Sequence, residues 1–263
     1  MTETAIASRD NPLFKRLKKL ADSARARREA RMSLLDGEHL ITAYLDAGGT
    51  PHTLVRAASR AADALAPFAA RGAGAKRVCL ADALFAELSP VATPTGVLAE
   101  AAIPAPPTPA GTPLVVVLED IQDPGNLGAM LRTAAAAGAT RVVLTRACHD
   151  PWSPKALRGG QGAQFVLPIE TVSDLPAWLA GFAGVTLGLA LEGAESLYVR
   201  DLSGPLALVV GNEGAGLAPA TLAVVHGRVF IPMAGRVESL NAAAALAVAA
   251  FEAMRQRAPR APS

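Results

Sequence analysis

Short apolar runs of strand length alternate with helical stretches throughout the part of the chain that follows residue 113. The predicted strands are residues 114–118, 141–144, 185–191, 206–210 and 229–231. The predicted helices are residues 126–137, 154–158, 174–182 and 240–257. Such alternation favours a largely parallel sheet with helices on both faces, so the predicted fold class is α/β.

A proline-rich segment separates this part of the chain from the part before it. IPAPPTPAGTP holds five prolines in eleven residues, a composition that favours extended polyproline and resists helix and strand. In the preceding part we predict helices at 13–32, within EHLITAYLDAG and at 57–70, and strands at 34–35, 53–56 and 77–80. The prediction is a small α/β domain at residues 1–102, a linker at 103–113 and a second domain at 114–263.

Composition narrows the class of protein. With 51% hydrophobic residues among 263, the chain can fill a sizeable core and is not a disordered chain. No apolar run is typical of a signal peptide or reaches membrane-spanning length. The two cysteines lack CxxC spacing and are typical of a reducing compartment, so we expect a cytoplasmic protein. The four scattered histidines argue against a metal site, and no motif indicates a nucleophilic hydrolase.

Positive charge is concentrated near the N-terminus. Residues 9–31 contain nine basic residues against three acidic ones, whereas the whole chain carries a net charge of +2. The side chains of Lys15, Arg16, Lys18 and Lys19 fall largely off the apolar stripe of the predicted helix. A basic patch confined to one end indicates a polyanionic partner, most simply nucleic acid. The alternative is a solvated helix face.

The stretch NLGAMLRTAAAAG begins at Asn126, behind the first apolar run and an acidic turn, EDIQDPG. Pro124 and Gly125 are turn residues, and Asn126 is the predicted N-cap of a helix that stops at Gly138. Asn126 and Arg132 both lie in the first two turns of this helix. We expect both to reach one pocket over the carboxyl end of the strand, where ligands of open α/β sheets bind.

Two further segments follow later apolar runs. GNEGAGL has glycines that let backbone N–H groups and a ligand approach closely, but its spacing matches neither the dinucleotide nor the P-loop fingerprint. Glu213 within it would repel phosphate and suits a cationic or hydroxyl-bearing ligand better. The alternative is a plain strand and turn.

IPMAGRVESLN is the third segment. Gly235 permits a tight turn, and Ser239 can cap the Ala-rich helix that follows. Ser239 and Asn241 flank the apolar Leu240 where that helix begins. The alternative is that Ser239 is only a cap and Asn241 only a first-turn residue.

Together, NLGAMLRTAAAAG, LALVVGNEGAGL and IPMAGRVESLNAAAALAVAAFE resemble the three motifs of the SpoU (TrmH) family of RNA ribose methyltransferases, in the SPOUT superfamily. Their order and spacing agree with the family, and the resemblance covers about residues 114–257. SPKALRGGQGAQFVLPI is similar to the branch containing ribosomal-RNA methyltransferases, with Gly159 and Gly160 in place of the more usual Ala-Ser pair. SRDNPLFKRLKKL followed by LLDGEHLI is similar to the family's RNA-binding domain.

The resemblance implies a SPOUT-type α/β domain with a C-terminal trefoil knot, preceded by a small α/β RNA-binding domain. It also implies S-adenosylmethionine as cofactor and a homodimer with the active site at the subunit interface. By this match the residues that bind the methyl donor are Gly211, Asn212, Ile231, Met233 and Leu240. The residues around the acceptor, taken as catalytic, are Asn126, Arg132, Glu213, Ser239 and Asn241. The residues that contact RNA are Lys15, Arg16, Lys18, Lys19 and Arg158.

The implied reaction is methyl transfer from S-adenosylmethionine to a ribose 2′-hydroxyl in RNA, for which no metal is needed. The enzyme must hold the acceptor oxygen, the methyl carbon and the sulfur in line. The resemblance makes Arg132 a general base, which conflicts with a guanidinium that keeps its proton at neutral pH; the alternative is that Arg132 holds an RNA phosphate and stabilises developing alkoxide. Ribosomal RNA is the preferred substrate and transfer RNA the alternative. The rival interpretations are a non-catalytic RNA-binding relative and a small-molecule enzyme on a doubly wound fold.

Overall fold

The structure, a computed structural model, describes residues 3–72, 74–235 and 239–258. The chain forms two compact units: the first contains Met1–Ala105 and Asp150–Phe165, and the second contains Pro106–His149 and Val166–Ser263. The chain therefore passes from one unit to the other three times. The sequence did not predict that residues 150–165 belong with the N-terminal part.

The helices and strands follow one another in a mixed order. They are β1 (Thr4–Ile6), α1 (Pro12–Asp22), α2 (Ala24–Ala30), β2 (Met32–Asp36), α3 (Glu38–Asp46), β3 (Thr53–Ala57), α4 (Ala66–Arg71), β4 (Lys76–Leu80), α5 (Asp82–Leu88), β5 (Val97–Ala102), β6 (Leu114–Leu118), α6 (Pro124–Ala136), β7 (Arg141–Thr145), α7 (Pro154–Gly160), α8 (Ala163–Val166), β8 (Ile169–Val172), α9 (Leu175–Ala180), β9 (Val185–Leu189), β10 (Glu195–Ser196), a 3-10 turn (Leu197–Val199), β11 (Leu206–Val210), α10 (Pro219–Leu222), β12 (Gly227–Phe230) and α11 (Ala242–Arg257). Within the described ranges, none of these helices has both the length and the apolar character needed to cross a membrane.

The first unit is built on a five-stranded mixed sheet with the order β1-β4-β3-β5-β2. β1, β4 and β3 are parallel, whereas β5 is antiparallel to both of its neighbours. Because successive strand residues point to opposite faces, Leu34 shares a core with Phe14 of α1 while Leu35 shares a different core with Ile41 of α3. The core on the α3 side also contains Leu157 of α7, which explains why the segment carrying α7 joins this unit.

Two polar contacts fix that segment within the first unit. Arg27 Nε and Asp150 Oδ2 form an ion pair of 2.7 Å, and both side chains are largely buried. Ser33 Oγ donates a hydrogen bond of 2.6 Å to the Trp152 carbonyl oxygen. The helix predicted at residues 154–158 is thus α7, and the segment that leads into it is held by residues that lie more than a hundred positions earlier.

The second unit contains a seven-stranded sheet with the order β10-β12-β9-β11-β6-β7-β8, and every neighbouring pair is parallel. This confirms the predicted parallel sheet. All residues of the central strands β6 and β11 are buried, as is typical of parallel strands that are covered on both faces. α6 and α11 pack against each other and bury Leu131 and Leu246. The trefoil knot stays a prediction.

Two predicted helices are shorter than expected. Residues 13–32 form two helices, because Ser23 has an extended backbone that ends α1 and a hydroxyl that accepts a hydrogen bond from Ala26 N to cap α2. The prediction of one continuous helix was therefore wrong. Of residues 57–70, only the last turns are helical, since Ala57 ends β3 and α4 begins at Ala66.

Candidate functional site

Three loops follow parallel strands of the second unit. They come after β6, β11 and β12, and the last of them leads into α11. β6 and β11 are direct neighbours in register, with Leu118 opposite Val210. Since the carboxyl ends of parallel strands meet at one edge of a sheet, the loops after β6 and β11 lie side by side. These loops carry the first and second motifs; in the third, residues 236–238 lie outside the described residues.

Side chains from all three motifs join in one hydrogen-bonded relay. Asn126 Nδ2 donates to Glu213 Oε1 at 2.8 Å. Asn126 Oδ1 accepts from Asn241 Nδ2 at 3.4 Å. The central asparagine thus links an acidic residue after β11 to the start of α11, and it fixes the three loops relative to one another.

The cap of α6 corrects one prediction. The N-cap is Asp123, whose carboxylate accepts a hydrogen bond of 2.7 Å from the backbone N–H of Asn126. Asn126 is therefore the third residue of the helix, and its side chain is free to contact Glu213. Gly138 does lie just beyond the helix with a φ of +75°, as the predicted stop requires.

The N-cap of α11 also differs from the prediction. Asn241 caps this helix, because its Oδ1 accepts from Ala243 N at 2.9 Å and from Ala244 N at 3.3 Å. Its Nδ2 remains to donate to Asn126. The prediction of Ser239 as the cap was wrong, and Ser239 instead lines the cavity described below.

The glycine-rich loop after β11 is folded back on itself. Asn212 Oδ1 accepts from the backbone N–H groups of Gly214 and Ala215 at 2.9 and 3.0 Å, and Asn212 Nδ2 donates to the Asp120 carbonyl at 2.9 Å. A side chain at Gly211 would overlap the backbone of Gly216. The loop therefore requires glycine at this position, and Asn212 anchors it to the loop after β6.

Glu119 is a structural residue of the site that the sequence did not single out. It lies directly after β6 and is buried; its Oε1 accepts from Thr221 Oγ1 at 2.6 Å, and its Oε2 accepts from Ala218 N at 2.9 Å. A buried carboxylate is tolerated when its oxygens are hydrogen-bonded. Glu119 thus ties the end of the second motif to the strand of the first. The acidic residue directly behind a fully apolar run was the available signal.

The loops border a cavity of about 650 Å³ in the second unit. It is lined by all five residues that were expected to bind the methyl donor: Gly211, Asn212, Ile231, Met233 and Leu240. Of those taken as catalytic, the lining includes Glu213, Ser239 and Asn241. Much of the remaining wall is apolar, with Leu189, Leu197 and Leu217 among its members, and Glu192 adds a second carboxylate.

Arg132 lies apart from this lining. Its side chain is exposed and forms no hydrogen bond or ion pair with any residue in the described ranges. Six residues of α-helix rotate a side chain by about 240°, so Arg132 points about 120° away from Asn126 on α6. Asn126 and Arg132 therefore do not converge on the cavity in the way the sequence suggested.

Most of the basic residues expected to contact RNA are engaged in ion pairs of the first unit. The paired ones are Lys15 with Asp10, Arg16 with Glu100, Lys18 with Asp22 and Arg158 with Asp36. Lys19 is exposed and has no such partner within the described residues. Arg28 of α2, which the sequence did not single out, is also exposed and unpaired there. In the described part of the chain, no three His, Cys, Asp or Glu side chains are grouped so that they could hold a metal ion.

Comparisons with known proteins bear on both units. The model of the SpoU rRNA Methylase family matches residues 113–251, and the model of the MRM3-like substrate binding domain matches residues 11–99. The sequence is 35% identical to an uncharacterized tRNA/rRNA methyltransferase of Synechocystis sp., over 96% of this chain and 94% of the other. It is 32% identical to the 23S rRNA (guanosine(2553)-2'-O)-methyltransferase RlmP of Bacillus subtilis, over 94% of this chain and 97% of the other. The solved structure of the SpoU methyltransferase AviRb from Streptomyces viridochromogenes in complex with AdoMet matches with a TM-score of 0.83 and 30% identity, covering 94% of this chain and 98% of that chain.

Proposed function

Since the chain belongs to the SpoU rRNA methylase family, we propose that it transfers a methyl group from S-adenosylmethionine to a ribose 2′-hydroxyl of ribosomal RNA. The relay from Glu213 through Asn126 to Asn241 carries this proposal, because it brings the three motifs together at the edge of one cavity. Relatives similar over nearly the whole chain include an enzyme named for 2′-O-methylation of guanosine in 23S rRNA. A methyltransferase role also accounts for the separate first unit, which matches a substrate-binding domain.

The residues of the cavity fit the methyl donor. A volume of about 650 Å³ lies within the usual range for ligand pockets of about 300–1,000 Å³. Leucine side chains suit an apolar ring system, and the carboxylates of Glu192 and Glu213 suit a cationic ligand. When bound, S-adenosylmethionine supplies a methyl group that its sulfonium already activates for transfer.

The residues of the chain itself hold and orient the reactants. We assign Gly211, Asn212, Ile231, Met233 and Leu240 to the donor pocket, where they act through backbone groups and apolar contact. We assign Asn126, Glu213, Ser239 and Asn241 to the acceptor side. Glu213 is held by Asn126 and lines the cavity, so its remaining oxygen can accept a hydrogen bond from a ribose hydroxyl. Fixing acceptor and donor in line removes much of the entropic barrier to a two-substrate reaction.

Arg132 is assigned to the active site that two subunits form together. Its side chain is exposed, unpaired within the described residues and not part of the lining of the cavity of its own chain. In a homodimer such a residue can serve the partner's cavity, where a permanent cation stabilises an RNA phosphate and a developing alkoxide. This role needs no loss of a proton from the guanidinium.

Exposed apolar side chains of the second unit support a homodimer. Tyr198 and Val199 of the 3-10 turn and Phe251 and Met254 of α11 are all largely exposed. Gln256 Nε2 donates to the Arg200 carbonyl at 3.1 Å, so the end of the turn lies beside α11. Exposed apolar patches are typical of interfaces, and we propose that these side chains form part of one. We further propose a cytoplasmic location, where ribosomal RNA is available.

Labelled methyl transfer tests the function directly. Purified protein is incubated with tritiated S-adenosylmethionine and with ribosomal or transfer RNA from cells that lack this protein. We expect label in ribosomal RNA, at a position that becomes resistant to alkaline cleavage because its 2′-oxygen is methylated. Label in transfer RNA alone would establish the alternative substrate. No label in either RNA, from protein that binds the donor, would overturn the proposal.

A further inference from the structure

A second cavity, of about 500 Å³, lies within the first unit. It is lined by Asp36, Gly37, Glu38, His39, Leu40, Arg60, Thr95, Arg158 and Gln161. None of these residues belongs to the methyl-transfer site, and the cavity combines a buried carboxylate, two guanidinium groups and the start of a helix.

Only one of the two carboxylate oxygens of Asp36 has hydrogen-bond donors in the described part of the chain. Its side chain is fully buried, and Oδ2 accepts from Ser89 Oγ at 2.9 Å and from Arg158 Nη1 at 3.2 Å. Oδ1 is buried and has no hydrogen-bond partner among the described residues. Burial raises the pKa of Asp36, whereas Ser89 and Arg158 oppose that rise. Buried polar atoms without a partner are rare in folded proteins, so Oδ1 is an acceptor that the described residues leave unpaired.

The N-terminus of α3 is open at the same cavity. Its N-cap is Gly37, which has no side chain to cap the helix, and no side-chain cap bond is formed. The backbone N–H groups of Glu38, His39 and Leu40 open the nine-residue helix and have no intrahelical acceptor. Together with the helix dipole, such N–H groups form an anion-binding site.

Two cations border this helix end. Arg60 is partly exposed and pairs through Nη2 with Glu38 Oε1 at 2.7 Å. Arg158, also partly exposed, pairs with Asp36. The space at Gly37 is bounded by Thr95 and the Arg158 guanidinium, at 3.5 and 4.0 Å from where a Cβ would lie. A side chain at Gly37 would therefore project between the hydroxyl and the cation that face the helix N-terminus.

These features restrict the ligand. A bare metal cation would face two guanidinium groups, and a simple anion would leave Asp36 Oδ1 without a donor. The ligand must therefore present an anionic group and an N–H or O–H donor within one compact molecule. A nucleotide has both, and imidazole and guanidinium planes such as those of His39 and Arg60 also stack on bases.

We propose that this cavity binds one nucleotide of the substrate RNA, with its phosphate at the N-terminus of α3 between Arg60 and Arg158 and an N–H or O–H donor on Asp36 Oδ1. The inference rests on the proposed function, since it assumes that RNA is the substrate. The site would recognise a specific nucleotide, whereas the cations of this unit that are unpaired within the described residues, such as Lys19 and Arg28, can contact only phosphates, without regard to sequence.

Binding of a short fluorescein-labelled single-stranded RNA of mixed sequence, followed by anisotropy at several salt concentrations, tests the site. Arg60→Gln should weaken binding about tenfold and lower the salt dependence by about one counterion. Asp36→Asn keeps the oxygen that faces Ser89 and Arg158 but replaces Oδ1 by an NH₂ group, so binding should fall about tenfold without a change in salt dependence. Arg71→Gln removes an exposed ion pair with Asp46 at the other end of α3 and should leave binding unchanged.

A double variant serves as the control for loss of binding that is caused by misfolding. Arg158→Gln alone leaves a buried carboxylate without its cation, whereas Asp36→Asn with Arg158→Gln removes both charges. The double variant should melt close to the wild type and still bind RNA weakly. Calorimetric binding of S-adenosylmethionine should stay unchanged in every variant, because the donor cavity lies in the second unit.

Three outcomes would overturn the inference. One is RNA binding by the Arg60 and Asp36 variants that equals that of Arg71→Gln while the wild type still methylates RNA; the proposed function would then stand without this site. Another is that inorganic phosphate competes with the RNA as strongly as adenosine or guanosine monophosphate does. The cavity would then bind anions without recognising a nucleotide. The third is a wild-type protein that does not bind the probe. Absence of methyl transfer by the wild type would count separately, against the proposed function.

Discussion

Asn126 Nδ2 lies 2.8 Å from Glu213 Oε1, and this hydrogen bond joins two motifs that are 87 positions apart in the chain. The same asparagine accepts a hydrogen bond from Asn241 in the third motif. Since the cap of α6 is Asp123, Asn126 has no local role that would explain this placement. Its contacts instead orient Glu213, which lines the cavity.

Asn126→Asp should reduce methyl transfer by about ten- to a hundredfold, because it replaces a donor to Glu213 by a second carboxylate. Donor affinity should change little, since Asn126 is not part of the cavity wall. Initial rates of methyl incorporation and calorimetry with S-adenosylmethionine measure the two effects. Rates equal to the wild type would remove the relay from the mechanism.

Arg132→Ala should abolish methyl transfer without affecting donor binding or stability. The side chain is exposed and unpaired within the described residues, so its removal disturbs no packing. Arg141→Ala is the matched control: Arg141 begins β7, at the opposite end of the sheet from the loops, and forms an exposed ion pair with Glu170. Unimpaired turnover of the Arg132 variant would exclude it from the reaction.

Two inactive variants should restore partial activity when they are mixed. A chain with Arg132→Ala keeps its donor cavity, and a chain with Gly211→Asp keeps its arginine. If Arg132 serves the cavity of the partner subunit, a mixed dimer has one intact site. Co-expression with different affinity tags and a methyl-transfer assay would reveal this. A mixed dimer that forms but shows no methyl transfer would contradict the shared site.

Gly211→Ala should weaken donor binding by more than about tenfold, whereas Gly214→Ala should have little effect. A Cβ at Gly211 would overlap the backbone of Gly216, but at Gly214 the nearest neighbour is Asn212 Oδ1 at 3.5 Å. The two substitutions add the same methyl group to the same loop, so they separate backbone overlap from loss of glycine flexibility. Calorimetric titration with the donor gives both affinities, and equal values would refute the packing explanation.

Because of Glu252, near the end of α11, the free energy of unfolding should decrease at acid pH. Hydrogen bonds from Arg255 and Gln256 lower the pKa of Glu252 from its usual 4.5 to about 2. A carboxyl group whose pKa is lower in the folded state stabilises it fully above pH 4.5, and this stabilisation is lost as the pH falls through about 2. The difference in melting temperature between wild type and Glu252→Gln should therefore shrink over that range. A difference that stays constant from neutral to acid pH would contradict the assignment.

The sequence predicted those features that depend on local pattern. The runs that became β6 and β11 are apolar throughout, and only a strand covered on both faces needs such a run. The five residues that the family resemblance assigns to the methyl donor line one cavity, and their role in donor binding stays a prediction. The caps were misassigned because Asp123 and Asn126, or Ser239 and Asn241, are equally good capping residues. Which of them caps the helix depends on the Glu213 contact and on the path of the chain, which local pattern does not contain.

Long-range pairing explains the other differences. After Ser23 divides the predicted helix, Arg27 of α2 contacts Asp150, 123 positions later. A local sequence pattern contains no information about a contact between residues so far apart. Likewise, the buried Gln164 side chain occupies the space where a side chain at Gly160 would lie, a contact that the local sequence pattern does not indicate.

The ion pair between Arg27 and Asp150 has a consequence for biosynthesis. A ribosome delivers Arg27 long before its partner, and Leu157 of the shared core emerges later still. The N-terminal lobe therefore cannot finish folding as it leaves the exit tunnel, even though its own sheet is complete at Ala102. Nascent chains halted before residue 150 should present an uncovered apolar face to chaperones, and a recombinant fragment ending at the proline-rich segment should inherit the same defect.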